Sequence, residues 1–280
     1  VLCACGPGNS ANPASSGATS GSSSQGGTNT PGTGTTTNTA PAISGTPAVA
    51  VQANGKVLAA GKFNNILVGG LFVVRYDADG SLDNTFGDLN GVEDQAVIGF
   101  QEVGDIAVQP DGKILLCGTA MDGFYLTRFN YNGSRDVDFG TDGVSLLGPN
   151  GVGVMAAKAL CLQPDGKILV AGDWDEGVAL ARFLPDGTLD ADFGSSTFPG
   201  VSYSSAGGEY ARASDVAVQP DGKILVAGQG GTPLQFRVSR YLADGSEDDG
   251  PDFGQFGEVL VPFGTVADRA AALALQPDGK

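Results

Sequence analysis

A run of Asp173, Trp174, Asp175 and Glu176 places the only tryptophan of the chain among carboxylates. An indole can stack on a sugar ring, and carboxylates beside it can accept sugar hydroxyls or ligate a cation. Tyr203, Glu209 and Tyr210 follow in a segment of similar character. Together Trp174, Asp173, Asp175, Glu176, Tyr203 and Tyr210 form the candidate ligand-binding set. The competing reading is that Trp174 covers the edge of its own sheet. A second group, Asp77, Asp79, Ser81 and Asp83, alternates oxygen ligands around a glycine as a calcium loop does. It lacks the closing bidentate glutamate, and the third copy offers only Leu184, Asp186, Thr188 and Asp190. Asp-Gly turn chemistry explains those residues as well, so Ca2+ is the one cofactor they raise and none is required. Asp173 with Asp175 and Glu176, and Glu247 with Asp248 and Asp249, supply the paired acids of a carboxylate-dependent polysaccharide hydrolase or lyase. Acid-rich loops in an acidic protein are usually solvated, and no catalytic residue is assigned.

Composition removes other chemistries. There is no histidine among the 280 residues, which excludes Ser-His-Asp and Cys-His nucleophiles and His-ligated metals. A formal charge of -16 makes nucleic acid a poor partner, because phosphate binding needs clustered Lys and Arg. No apolar run approaches the ~20 residues of a membrane helix. Membrane contact would come only through a lipid anchor, and Leu2-Cys3-Ala4-Cys5 provides a candidate: it resembles a bacterial lipobox with Cys5 as the lipidated residue. From Pro7 to Pro47 the chain is Gly, Ser, Thr, Asn, Pro and Ala with hardly any other residue and no charge, which describes a disordered tether. Residues 1–47 are therefore expected to be a lipobox-like cysteine and its linker, and residues 48–280 a folded domain, extracytoplasmic as an outer-membrane lipoprotein or a secreted protein.

The elements that must position these residues recur. Gln52, Gln109, Gln163, Gln219 and Gln276 open copies spaced by 57, 54, 56 and 57 residues. Each full copy has two apolar runs around an Asn-Gly or Asp-Gly pair, a hairpin of strands A and B whose two turn residues are both expected at positive φ. A second hairpin is read in FVVRYDADGSLDNTFG and its counterparts, with strand C before the Asp-Gly turn and strand D directly after it. Four antiparallel strands per copy, with strand A apolar on both faces, predict an all-β fold, a β-propeller of four-stranded blades. Residues 48–280 would hold four full repeats and the first strand of a fifth, part of a ring of six to eight blades. Val1 is not a methionine and Asp278-Gly279-Lys280 stops inside a hairpin motif, so the sequence is read as a piece of a longer chain. Recurring Arg75, Arg128, Arg182 and Arg240, with Asp83, Asp136 and Asp190, are expected to pair within their own blades. Cys117 and Cys161 take positions that are alanine in other copies, as free core thiols or as a bond between adjacent blades.

The pattern AVQPDGKILVAG, an aromatic after Arg, DGSLD and an FGxxG such as Phe139–Gly143 resembles the delta-60 repeat propellers of bacterial surface and secreted proteins. The resemblance implies the propeller fold and an extracytoplasmic place, without an assigned activity. The function expected is a binding or scaffold module for a glycan, a cation or another protein at the cell surface. The alternatives are the hydrolase or lyase and a purely structural adhesion module. In an up-and-down blade the A–B and C–D turns share one face, where the sequence is nearly constant. The B–C and D–A loops share the other, where KFNNILVGG, TAMDG, DWDEG and QGGTPLQ differ, and binding residues are expected there.

Overall fold

Each repeat begins with a hairpin whose turn is dictated by Gln-Pro-Asp-Gly-Lys, or in the first copy by Gln52-Ala53-Asn54-Gly55-Lys56. In the second copy the Gln109 N–H donates to Lys113 O at 2.8 Å and the Gly112 N–H donates back to Gln109 O at 2.9 Å. Only Gly112, at φ +85°, is left-handed. This is a type I turn closed by an αL glycine, which accommodates Pro110, and it corrects the expectation of two positive-φ residues. The Asp111 carboxylate accepts the Lys113 N–H at 3.0 Å and fixes the turn.

A computed structural model describes residues 44–64, 69–87, 92–96, 100–120, 123–148, 155–175, 177–204, 210–262 and 268–279. The first blade comprises β1 (Ser44–Val51), β2 (Val57–Asn64), β3 (Gly69–Tyr76) and β4 (Val92–Ala96). The second comprises β5 (Phe100–Val108), β6 (Ile114–Ala120), β7 (Gly123–Phe129) and β8 (Val144–Leu147). The third holds β9 (Met155–Leu162), β10 (Ile168–Trp174), β11 (Gly177–Phe183), the short β12 (Gly194–Ser195) and β13 (Phe198–Pro199), and β14 (Val201–Ser204). The fourth holds β15 (Ala211–Val218), β16 (Ile224–Gly230), β17 (Gln235–Tyr241) and β18 (Glu258–Val261). The four main strands of each blade are antiparallel and lie in sequence order. The first strand begins at Ser44, ahead of the expected start of the array at Ala48.

The all-β, blade-by-blade architecture is the one the repeats predict, with one relocation. Strand D does not follow the second Asp-Gly turn. That segment makes a single bridge in each blade, such as Phe129 with Arg135, and then turns again. The fourth strand starts only after the Phe-Gly motif, as in Val144–Leu147.

The core lies between blades. One apolar cluster joins Leu58, Val73 and Phe86 of the first blade to Ile106, Leu116 and Phe129 of the second. Another joins Leu126 and Phe139 to Leu160, Val170 and Trp174, and a third joins Leu180 and Phe193 to Val216, Val226 and Tyr241. Sheets buried on both faces need apolar residues on both, and β6, β7, β10 and β11 are buried at every position. In β17 burial alternates: Arg237, Ser239 and Tyr241 face the third blade and are buried, whereas Phe236, Val238 and Arg240 on the opposite face are only partly so.

A polar lock repeats along the constant rim. Arg128 Nε donates to Asp136 at 2.6 Å, Lys113 Nζ donates to the same oxygen at 2.7 Å, and the guanidinium lies 4.4 Å from the centre of the Phe139 ring. The same group then reaches the next blade, since Arg128 Nη1 donates to Pro185 O at 2.6 Å and the Gly140 N–H donates to Asp186 O at 2.7 Å. Arg75 reaches Tyr131 O and Arg182 reaches Ala243 O in the same way, each at 2.5 Å, while the Gly87 and Gly194 N–H groups donate to Asn132 O and Asp244 O. Arginine therefore pairs with aspartate inside its blade, as expected, but bonds a turn carbonyl of the following blade and not of its own. Burial alone would raise Asp83, Asp136 and Asp190. Hydrogen bonds from the lysine and arginine outweigh it, and all three carboxyls sit below the ordinary aspartate range.

A second inter-blade contact involves acids of opposite character. Asp105 accepts the Leu160 N–H of the next inner strand at 3.1 Å, and Asp215 accepts the Leu273 N–H at 2.6 Å. Burial pushes Asp105 up to about 6 despite its N–H donors, with the charge of Asp215 adding to the rise. Asp215 is raised by burial too. A carboxyl with a folded pKa above its unfolded value stabilises the fold when protonated. That contribution is complete below an ordinary aspartate pKa of ~3.9 and is lost as pH rises through the folded value. The lock aspartates have the reverse sign, and their contribution is lost as pH falls below ~3.9. The melting temperature should therefore peak in mildly acidic solution and decline toward neutrality. Asp105→Ala, which installs the residue found at Ala48 and Ala159, should flatten that decline in a pH series of thermal melts. An unchanged slope would refute the assignment to Asp105.

Candidate functional site

Alternation along β10 splits the Asp-Trp-Asp-Glu motif, because successive strand residues point to opposite faces. Trp174 turns toward the second blade and belongs to the cluster shared with Phe124 and Leu126. It is only 6% exposed. Its ring meets Phe198 edge-on at 5.1 Å and Tyr203 at 5.4 Å. Asp173 turns toward the fourth blade and is buried, accepting Arg212 Nη1 and the Ala213 N–H, both at 3.0 Å. Burial raises its carboxyl, with Arg212 opposing. Asp175 sits exposed at φ +53° in the tight turn from β10 to β11, and Glu176 lies outside the described residues. Tyr210 is exposed at the start of the fourth blade, where its carbonyl accepts the Gly231 N–H at 3.1 Å.

Of the candidates, Trp174 and Tyr203 are brought together in a ring contact. Tyr203 lies on β14 opposite Ala179, and its ring covers Gly177: a Cβ at Gly177 would stand 2.7 Å from it. The ring that completes the group is Phe198, which composition and spacing did not single out. The third copy inserts a small hairpin between Phe193-Gly194 and strand D, and Phe198 is carried on its second strand. The visible signal was an aromatic residue in a segment where the second copy has only Thr141-Asp142-Gly143. Phe198 and Tyr203, at 36% and 41% exposure, present their outer surfaces at the rim of the third blade with Trp174 behind them.

The calcium-loop candidates are engaged elsewhere. Asp79 accepts the Ser81 hydroxyl at 2.6 Å and the Ser81 N–H at 2.9 Å, which lower its carboxyl. Asp77 bridges to Lys56 at 2.9 Å, and Asp83 to Lys56 and Arg75. A cation at this loop would have to displace Lys56. Asp248, read from sequence within an acidic run, is the fourth lock aspartate and pairs with Arg240 and Lys223. The insertion of two residues before Phe253 concealed its equivalence to Asp190. Cys117 is a free, fully buried thiol, so no bond joins it to Cys161. Cys161 is also buried but is disulfide-bonded, contrary to the free-thiol expectation. Cys5 lies outside the described residues.

A family model described as a domain of unknown function, the DUF5122 β-propeller, matches residues 52–86, 109–139, 163–193 and 219–250. The chain thus carries four DUF5122 propeller repeats. The first three matches run from the hairpin glutamine to the lock phenylalanine, Phe86, Phe139 and Phe193, so the DUF5122 pattern is the A–B turn, strands B and C, and the lock. No curated protein matches the chain. The Phe198–Tyr203 rim falls after the third DUF5122 match and before the fourth, outside the matched residues.

Proposed function

We propose that this DUF5122 propeller is a glycan-binding module, with the sugar stacked on the Phe198 and Tyr203 rings at the rim of the third blade. The observation that carries the reading is the three-ring cluster, in which two rings are exposed and the third, Trp174, is held in the core behind them. Aromatic faces offer apolar C–H surfaces of a pyranose a rigid platform at small entropic cost. Two of the acids put forward for a hydrolase, Asp173 and Asp248, are taken up by Arg212, Arg240 and Lys223, which favours binding over turnover.

The test is a panel of polysaccharides and oligosaccharides measured by calorimetry and by release of reducing ends. Binding without turnover is expected, lost in Tyr203→Ala and Phe198→Ala while the melting temperature stays within a few degrees. Trp174→Ala is the wrong probe, because emptying a buried tryptophan site costs about 3–5 kcal/mol. Turnover on any member of the panel would favour the enzyme reading, and binding indifferent to both ring deletions would refute the site. For location we propose a lipid anchor at Cys5. The full-length protein should partition with membranes, and Cys5→Ala should release it.

A further inference from the structure

Two Asn-Gly pairs occupy turns of the same build and differ in what holds them. Asn54-Gly55 forms the A–B turn of the first blade, and Asn132-Gly133 the turn after strand C of the second. Both glycines are left-handed, at φ +83° and +95°, and each donates its N–H across its turn at 2.9 Å, Gly55 to Gln52 O and Gly133 to Asn130 O. Each asparagine Oδ1 accepts the N–H two residues on, from Lys56 at 3.2 Å and from Ser134 at 3.1 Å. The pairs Asn90-Gly91 and Asn150-Gly151 lie outside the described residues.

The neighbouring blade clamps the second turn. Asn132 O accepts the Gly87 N–H at 2.8 Å, and Gly133 is buried so closely that a Cβ on it would stand 2.7 Å from Gly87 N and 3.0 Å from the Phe86 ring. Nothing comparable holds the first. Asn54 is exposed, its carbonyl accepts no backbone N–H among the described residues, and a Cβ on Gly55 would meet Ala78 of the same blade at 3.4 Å. Its side chain reaches the second blade through Nδ2, which donates to the Tyr131 hydroxyl at 2.9 Å, but that bond is exposed to water. Openness belongs to the A–B turn wherever it occurs, so what precedes the first blade does not create it. The nearest atoms to a Cβ at Gly112, Gly166 and Gly222 also belong to their own blades, at Tyr131, Pro185 and Ala243, and Asp111, Asp165 and Asp221 are exposed as Asn54 is.

We infer that Asn54 is a site of spontaneous modification, converting through a cyclic imide to aspartate and isoaspartate, while the inter-blade lock keeps Asn132 intact. The Gly55 nitrogen, its proton taken by base, attacks Asn54 Cγ. The Cγ–Nδ2 bond breaks and the nitrogen leaves as ammonia, taking up a proton in place of the one removed. Water then opens the imide at either carbonyl. Ring closure requires the asparagine ψ to rotate and the glycine N–H to leave its acceptor across the turn. A free turn does this by local opening, whereas the clamped one does it only when two blades part. Glycine presents no side chain to obstruct the attack. One product is the residue already present at Asp111, Asp165 and Asp221, so the turn accepts it. Both products add a negative charge and remove the amide donor to Tyr131, whose ring lies 4.7 Å from the Arg75 guanidinium. The seam between the first two blades therefore loses a hydrogen-bond donor as the protein ages.

Incubation of the whole chain in mildly alkaline buffer, followed by peptide mapping with mass spectrometry, tests this. In the native chain Asn54 should convert at least about tenfold faster than Asn132. In urea, where neither turn is held, the two should convert at similar rates. Asn54→Asp, which carries one product from the start, should give a circular dichroism spectrum like that of the fresh protein and a charge like that of the aged one. Equal native rates at the two positions, or Asn132 converting ahead of Asn54, would overturn the inference. So would a difference of the same size in urea, since it would then come from the following residues, Lys56 and Ser134, and not from the clamp.

Discussion

Gly187→Ala should destabilise the chain by about 1–3 kcal/mol more than Gly80→Ala, although the two glycines occupy the same position of the same turn. Both are left-handed, at φ +88° and +85°, so both replacements carry the backbone cost of ~1–2 kcal/mol. The difference is what a methyl group meets. At Gly187 it would lie 2.8 Å from both Gly140 N and Ser145 Oγ and 2.9 Å from the Phe139 ring, which would prise the third blade away from the second. At Gly80 it would meet nothing within 4 Å. Urea unfolding of the two variants measures the gap directly, and equal losses would mean that the third-blade turn is not seated on the second-blade lock.

A larger loss is expected for Asp190→Ala, about 3–5 kcal/mol, because it leaves the Arg182 guanidinium buried without its charge partner. Asp190 and Arg182 are 5% and 8% exposed at the side chain and 2.7 Å apart, so water cannot replace the missing carboxylate. Arg182→Ala should also be costly, since it strips Asp190 of one donor and the Ala243 carbonyl of its partner. The double variant should lose less than the sum of the two, as residues of one network do. Arg240→Ala should cost distinctly less than Arg182→Ala, because among the described residues Arg240 makes the aspartate bond and the ring contact but no bond to a following blade. Equal losses from the two arginines would contradict the inter-blade part of the lock.

The blade was legible because its strongest signals are local. Asp-Gly pairs at fixed distances from Gln and Arg announce the turns, and apolar residues on both faces of strand A announce a sheet between sheets. Strand D was not legible, for two physical reasons. The second Asp-Gly turn imitates a hairpin, yet Leu82 and its counterparts give it only one bridge. The true fourth strands, Val92–Ala96, Val144–Leu147, Val201–Ser204 and Glu258–Val261, are short outer strands that share no motif across the four blades. Contacts between blades were hidden as well. Spacing shows that Arg182 recurs but not that its reach ends at Ala243 of the next repeat. At the site, grouping by sequence put Asp173 with Trp174, whereas alternation along β10 sends one to each neighbouring blade. Carrying strand B through to Trp174 would have revealed that split. Phe198 was invisible because an exposed aromatic in an insertion has no periodic signature.

The central claim, that repeats are blades locked in series along one rim, is tested most directly by amide hydrogen exchange at four equivalent glycines. Gly87, Gly140 and Gly194 donate their N–H groups to Asn132, Asp186 and Asp244 of the next blade, while Gly254 has no such acceptor among the described residues. The first three should exchange slowly, with protection near that of global unfolding, and Gly254 should exchange faster than all three. Rapid exchange at all four glycines would contradict the account.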